Sequence, residues 1–246
     1  MAVLLWAGGA QVSATEPDLK YKRIEHTIHF APGQSPYRGM EWSYPVVLPA
    51  PTPVLQRLNA WMRQLSLAPF SACDRAVELQ VQAMPDSQVL QALEADPAFT
   101  ACDMLQSAVS PVSALGRYVF VEHHTEWLGQ TGPKKGVETL VFDLKLGAPA
   151  RVEDLFVSGA LGVLNDALAE RIAKDARRPE CSGRRFDWSQ VSLQSVDALF
   201  ITYPYNPREW RQCGDGIEAL NGPTVRRLLL KPRDLQPTRR WGWQMP

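Results

Sequence analysis

Histidines and acidic residues are the side chains of this sequence whose types could carry acid–base or metal chemistry. His123 and His124 are adjacent, and neighbours in an extended segment project to opposite faces, so the pair cannot close on one metal ion. His26 and His29 are an odd number of residues apart and separate in the same way, which leaves them as surface or hydrogen-bonded histidines. Glu122, Glu126, Asp143, Asp154 and Asp215 include the types that a glycosidase uses as acid and base. That reaction needs two carboxyl groups at a set separation in a cleft, and spacing along the chain does not provide it. Asp143 and Asp215 stand beside Lys/Gly and Gly segments, where an aspartate accepts from nearby backbone amides, so turn formation is the first expectation for both. Ser107 and Ser110 have no neighbours in sequence that would activate a hydroxyl. There is no G-x-S-x-G, P-loop, H-E-x-x-H or dinucleotide fingerprint, so no catalytic, metal-binding or cofactor-binding residue is assigned and no cofactor is expected.

Recognition is better represented. Glu126, Trp127, Gln130, Lys134 and Lys135 surround a Gly/Pro/Lys-rich stretch, Gly129 to Gly136, which reads as the long loop of a hairpin. Lys134 and Lys135 suit an acidic partner, and a solvated basic turn is the commoner role of such a pair. Tyr203, Tyr205 and Trp210 crowd a strand exit beside Arg208 and Arg211, a mixture able to stack on sugar rings or fill a protein interface, with a sheet-edge core cluster as the alternative. Residues 237–246, including Arg239-Arg240-Trp241-Gly242-Trp243, read as a flexible tail.

The elements that must position these groups follow from periodicity. Lys22 to Phe30 and Tyr44 to Leu48 read as extended. Thr52 suits an N-cap with Pro53 at the first helical position, and Val54, Leu58, Met62 and Leu65 recur on one helical stripe. After Ser87, Val89, Leu90 and Leu93 look helical, while 77–84 stays undecided. Arg117 to Trp127 alternates as a strand, with Tyr118, Phe120, Glu122, His124 and Glu126 on one face, and Val137 to Leu144 alternates again as its antiparallel partner. Leu161, Leu164, Leu168 and Ile172 mark a long amphipathic helix over Ala160 to Ala176, with Arg171 and Lys174 toward its end. Val196 to Tyr203 reads as a strand stopped by Pro204. Strands and helices mix without βαβ regularity, which predicts an α+β fold: a mainly antiparallel sheet packed with two or three helices, as one domain over residues 20–236.

The chain has 246 residues, 45% apolar and 21% charged, enough to bury a sizeable core. Lys plus Arg and Asp plus Glu both number 26, so no chain-wide field draws nucleic acid, and no nucleic-acid partner is expected. An apolar run from Ala2 ends at Val12-Ser13-Ala14, small residues as at a secretory cleavage site, so residues 1–14 read as a truncated signal peptide; a buried N-terminal segment is the alternative. No stretch reaches the length of a membrane helix. The four cysteines, Cys73, Cys102, Cys181 and Cys213, lack metal-ligand spacing. In an exported chain they would pair as Cys73 with Cys102 and Cys181 with Cys213; free buried thiols in a cytosolic protein are the alternative.

Tyr118 to Trp127, the loop from Gly129, Phe142-Asp143-Leu144-Lys145-Leu146-Gly147, Val152-Glu153-Asp154-Leu155-Phe156, the helix from Ala160, Leu199-Phe200-Ile201-Thr202-Tyr203-Pro204-Tyr205 and Asp215-Gly216 follow one another in a recognisable order. That order resembles a bacterial envelope family of unknown general function, found in the extracellular part of the lysozyme-sensing anti-sigma factor RsiV and in non-catalytic N-terminal regions of some peptidoglycan deacetylases. The likeness spans roughly Tyr44 to Leu230 and is strongest over 115–232. Relatives often carry a Gly-Gly-Ala-His run where this chain has Gly129-Gln130-Thr131-Gly132, so any role of that histidine is absent. The resemblance implies a periplasmic or secreted protein that binds a lysozyme-like protein or peptidoglycan without catalysis. A cell-wall glycan hydrolase and a purely structural envelope component are the alternatives.

Overall fold

The computed structural model describes residues 19–29, 39–69, 84–95, 104–129, 132–174, 183–202, 217–235 and 241–243. Seven strands form the main sheet in the order β10-β1-β2-β3-β4-β5-β6: β1 Leu19–His29, β2 Gly39–Val47, β3 Met104–Leu115, β4 Tyr118–Gly129, β5 Gly132–Asp143, β6 Ala148–Ala150 and β10 Trp241–Trp243. Its pairs are antiparallel except β1 with β10 and β2 with β3. A second sheet, β7 Val191–Ser195, β8 Ala198–Thr202 and β9 Ile217–Asn221, is wholly antiparallel. With α1 Pro53–Leu67, α2 Asp86–Ala95, α3 Ala160–Ala173 and the short α4 Pro223–Leu228, this is the α+β architecture expected from the sequence. No described helix is long and apolar enough to cross a membrane.

Alternation along β4 separates two cores. Val119 and Val121 face a core built with Leu58 and Met62 of α1, Trp42 and Tyr44 of β2, and Val89 of α2. Phe120 faces another built with Leu164, Leu168 and Ile172 of α3 and with Val191, Leu193, Leu199 and Ile201 of the small sheet. Each helix stripe is therefore core-facing as its spacing dictates, and burying one such Leu or Phe fully is worth about 1.5–3 kcal/mol. At the start of α1, Thr52 Oγ1 accepts from Leu55 N at 3.3 Å with Pro53 just inside, the arrangement that satisfies one orphan amide and wastes none.

Four expectations need correction. The stretch Gly129 to Gly136 is not a long loop: β4 and β5 pair continuously to Gly129 opposite Gly132, leaving a two-residue connection. Glu126 faces Lys135 across the strands, so the charged stretch joins the ladder through a complementary pair. The segment from Val196 is not one strand, because Val196 and Asp197 make the turn of a hairpin whose first strand, β7, lacks a long apolar run. β3 was assigned no element. Pro111 lies inside it and the register shifts between Pro111 and Ser113, a bulge that absorbs the missing proline N–H. The chain end is not wholly a free tail: Trp241–Trp243 pairs in parallel with Leu19–Tyr21, an aromatic-rich triplet using the open edge of β1.

Candidate functional site

Along one face of β4, Glu122, His124 and Glu126 follow at the two-residue strand period. Thr202, at the end of β8, donates its hydroxyl to Glu122 Oε1 at 2.8 Å, and His124 Nε2 lies 3.2 Å from Oε2. Burial works against ionising Glu122, but the hydrogen bonds from His124 and Thr202 outweigh it and hold the carboxyl below the usual carboxylate range. Glu126 pairs with Lys135 Nζ at 3.2 Å. Across from Glu122 on β5, Thr139 is buried and its hydroxyl has no partner. The Glu122–Thr202 bond ties the end of β8 to the sheet face that carries Glu122 and Glu126.

Trp127 is half-buried and packs on the core of α1 and β2, so it supports the hairpin from the opposite face. Lys135 is exposed at its pair with Glu126. The backbone of Lys134 pairs with Trp127 in the ladder. Gln130, Tyr203, Tyr205, Trp210, Cys73, Cys102, Cys181, Cys213, Asp215 and the 1–14 segment lie outside the described residues.

A serine dismissed on sequence grounds has a partner in space. Ser107 Oγ is 3.0 Å from His123 Nε2, and His123 Nδ1 is 3.3 Å from Glu138 Oε1, the order of a nucleophile, a base and an orienting acid. Ser107 is 0% exposed, however, and its hydroxyl also meets the carbonyl of Ser66 at 2.8 Å. No substrate carbonyl can approach it, so the trio bridges β3, β4, β5 and the end of α1 as a polar strut. The signal that would have found it was the strand β3, which Pro111 hid.

A second cluster centres on Asp86 at the start of α2. It accepts from Arg63 Nε at 2.7 Å and from the Tyr44 hydroxyl at 2.5 Å, with His26 Nε2 at 2.9 Å. Burial opposes its charge, yet these donors and the Arg63 cation hold the carboxyl below its ordinary value. Burial and then the Asp86 carboxylate push the Tyr44 hydroxyl well above the usual tyrosine range. Four side chains thus spend their polar atoms on one another, tying β1, β2, α1 and α2. No group of three metal-ligating side chains occurs among the described residues.

At the opposite end of the β4–β5 hairpin, the turn beginning at Asp143 behaves as its composition suggests. Asp143 Oδ1 accepts from Lys145 N at 2.8 Å and Leu146 N at 3.2 Å, and Oδ2 meets Arg117 Nη2 at 3.0 Å. Gly116 has φ +55°, and a Cβ there would fall 1.8 Å from the Asp234 carbonyl oxygen, so only glycine lets the β3–β4 turn touch the Pro232–Leu235 helical turn. Between these turns lies a cavity of about 310 Å³ lined by Arg117, Tyr118, Asp143, Leu146, Leu230 and Lys231 among others.

No family model matches the chain, and no curated protein matches it. Among solved structures it is similar to a member of the DUF3298 family from Bacteroides fragilis NCTC 9343, at 12% identity and a TM-score of 0.49 over 89% of this chain and 95% of that one. It is also similar to a DUF3298 family protein from Pseudomonas aeruginosa PAO1, at 15% identity and a TM-score of 0.47 over 89% and 97%.

Proposed function

We propose that the protein is an exported, non-catalytic component of the bacterial cell envelope that binds a cell-wall-related ligand, in keeping with its resemblance to the RsiV-like envelope family. The observation that carries this reading is how Glu122, Glu126 and Asp143 are used. Glu122 is held by Thr202 and His124, Glu126 by Lys135, and Asp143 by its own turn and Arg117. A glycosidase needs one carboxyl free to give a proton and another free to attack or to activate water, whereas these three serve internal partners.

The recognition candidates are the end of the β4–β5 hairpin, where Glu126 pairs with Lys135, and the segment that follows Thr202 in sequence. Lys135 offsets the charge of Glu126 there, which favours a peptidoglycan fragment over a strongly basic muramidase. Export would be accompanied by disulfides joining Cys73 to Cys102 and Cys181 to Cys213, checked by non-reducing peptide mapping. Calorimetry against soluble muropeptides and lysozyme, run beside a sugar-release assay on purified cell wall, tests the function. Binding without release is expected. Release abolished by one carboxylate substitution would instead establish the hydrolase reading, and binding to neither ligand would leave a structural component.

A further inference from the structure

We propose that the cavity between the β3–β4 turn, the β5–β6 turn and the Pro232–Leu235 helical turn is a second binding site, separate from the hairpin tip, that takes a short neutral peptide segment with an apolar side chain. Separation is a matter of strand length: Tyr118 and Gly129 are eleven residues apart on one strand, about 36 Å at the usual rise.

Three observations define the occupant. Four large apolar side chains are exposed among the described residues, and two of them, Leu146 at 67% and Leu230 at 55%, line this one cavity. Leaving two leucines in water on facing turns costs stability that neither turn geometry requires, and an apolar group inserted between them would recover it. Next, Arg117 has donors to spare. Its Nη2 bonds Asp143, whose two oxygens are then fully used, while the buried Nε has no partner. The Arg117 side chain lines the cavity and is 37% exposed, so its outward N–H groups can donate to an acceptor oxygen held there. Finally, the lining carries two cations, Arg117 and Lys231, against three carboxylates, Asp143, Asp154 and Asp234. A net charge of minus one disfavours a phosphate or a free carboxylate as the source of that oxygen, and the exposed Asp154 and Asp234 can accept from N–H groups. A sugar fits less well, because the Arg117 guanidinium sits 4.9 Å over the Tyr118 ring and occupies the aromatic face on which a sugar would stack. A peptide bond supplies the oxygen and the N–H without net charge, and its side chain supplies the apolar group.

The experiment is a ¹H–¹⁵N chemical-shift titration of the full chain with N-acetyl-leucinamide, following backbone amides around 117, 146 and 230 and the Arg117 Nε–H resonance. Saturable shifts at these positions are expected, with N-acetylglycinamide, N-acetylglucosamine and inorganic phosphate giving none, and N-acetyl-leucine, which carries a free carboxylate, binding more weakly. That last arm separates an internal peptide segment from a chain end. The double variant L146S/L230S, altering exposed side chains that the fold does not need, should bind about tenfold more weakly. Arg117→Lys, which keeps a cation beside Asp143 but removes the guanidinium, should weaken binding while leaving the thermal midpoint nearly unchanged. No saturable shift with the leucine amide, an undiminished shift in L146S/L230S, or tighter binding of phosphate or N-acetyl-leucine would overturn the proposal. None of these results bears on muropeptide binding at the hairpin tip, so the two sites stand or fall separately.

Discussion

Helices α1 and α3 lie against opposite faces of the main sheet and are fastened by the same device with different reinforcement. Asn59 of α1 accepts from Val47 N at 2.8 Å and donates to Val47 O at 3.0 Å, and Asn165 of α3 does the same to Phe186 N and O at 2.9 and 3.0 Å. In each case one amide side chain imitates a strand partner and satisfies both backbone groups of a single residue. The α1 side adds an ionic clasp at Asp86, whereas the α3 side adds neutral contacts, including the Ser113 hydroxyl donating to the Leu193 carbonyl and the Phe156–Leu229 bridge. Each side holds a carboxyl below its usual range, Asp86 toward α1 and Glu122 toward the small sheet, but only the Asp86 clasp fastens two helices to the strands.

The comparison can be broken most forcefully at Leu164, which is wholly buried on the apolar stripe of α3. Leu164→Asp should cost about 4 kcal/mol or more, read from urea melts, because an unpaired charge enters an apolar core. Asn165→Ala comes next, at about 3 kcal/mol, since it strands two buried backbone groups of Phe186. Asn59→Ala should cost about 1.5 kcal/mol, its site being half-buried so that water repairs part of the loss. Equal losses at the two asparagines would mean that their surroundings do not differ as described.

Asp86→Asn sharpens the contrast in pH. The Asp86 carboxyl is held below its ordinary value, so the unfolded chain binds that proton more readily and acid favours unfolding. Its contribution is in place above about pH 4 and is lost as pH falls through the depressed folded value. The variant should therefore cost about 2 kcal/mol at pH 7 and converge on the parent in acid, while the Asn165→Ala penalty stays constant over the same range. Glu122 acts in the same direction. Tyr44 is raised, so its share holds below about pH 10 and is lost above. The smallest effect belongs to Lys174→Asp, at an exposed pair with Glu170, where the melt should not move measurably.

Legibility in the sequence followed the strength of local signals. Thr52-Pro53 and the stripe Leu58–Met62 announce α1 because capping and periodicity agree, and Leu164, Leu168 and Ile172 announce α3 in the same manner. β7 has five residues, too few to stand out before the turn at Val196 and Asp197. The site was legible only in part. Glu122, His124 and Glu126 were readable as one face, but Thr202, Glu138 and Ser107 meet that strand and its neighbour from positions 15 to 80 residues away in sequence along the bonds they make. Arg117 and the C-terminal turn meet through a glycine contact that no local pattern encodes.

The bulge in β3 acts as a change of parity. Before it, odd-numbered residues look toward α1: Ser107 meets Ser66 and Val109 joins the Trp42 core. After it, odd-numbered residues look the other way, Ser113 to Leu193 and Leu115 into the α3 core, while the even-numbered Ala114 takes up the α1 side. One inserted position thus lets a single strand address two cores with two reading frames, so deleting one residue between Pro111 and Ser113 would misdirect every side chain on one side of the deletion while leaving the composition almost untouched.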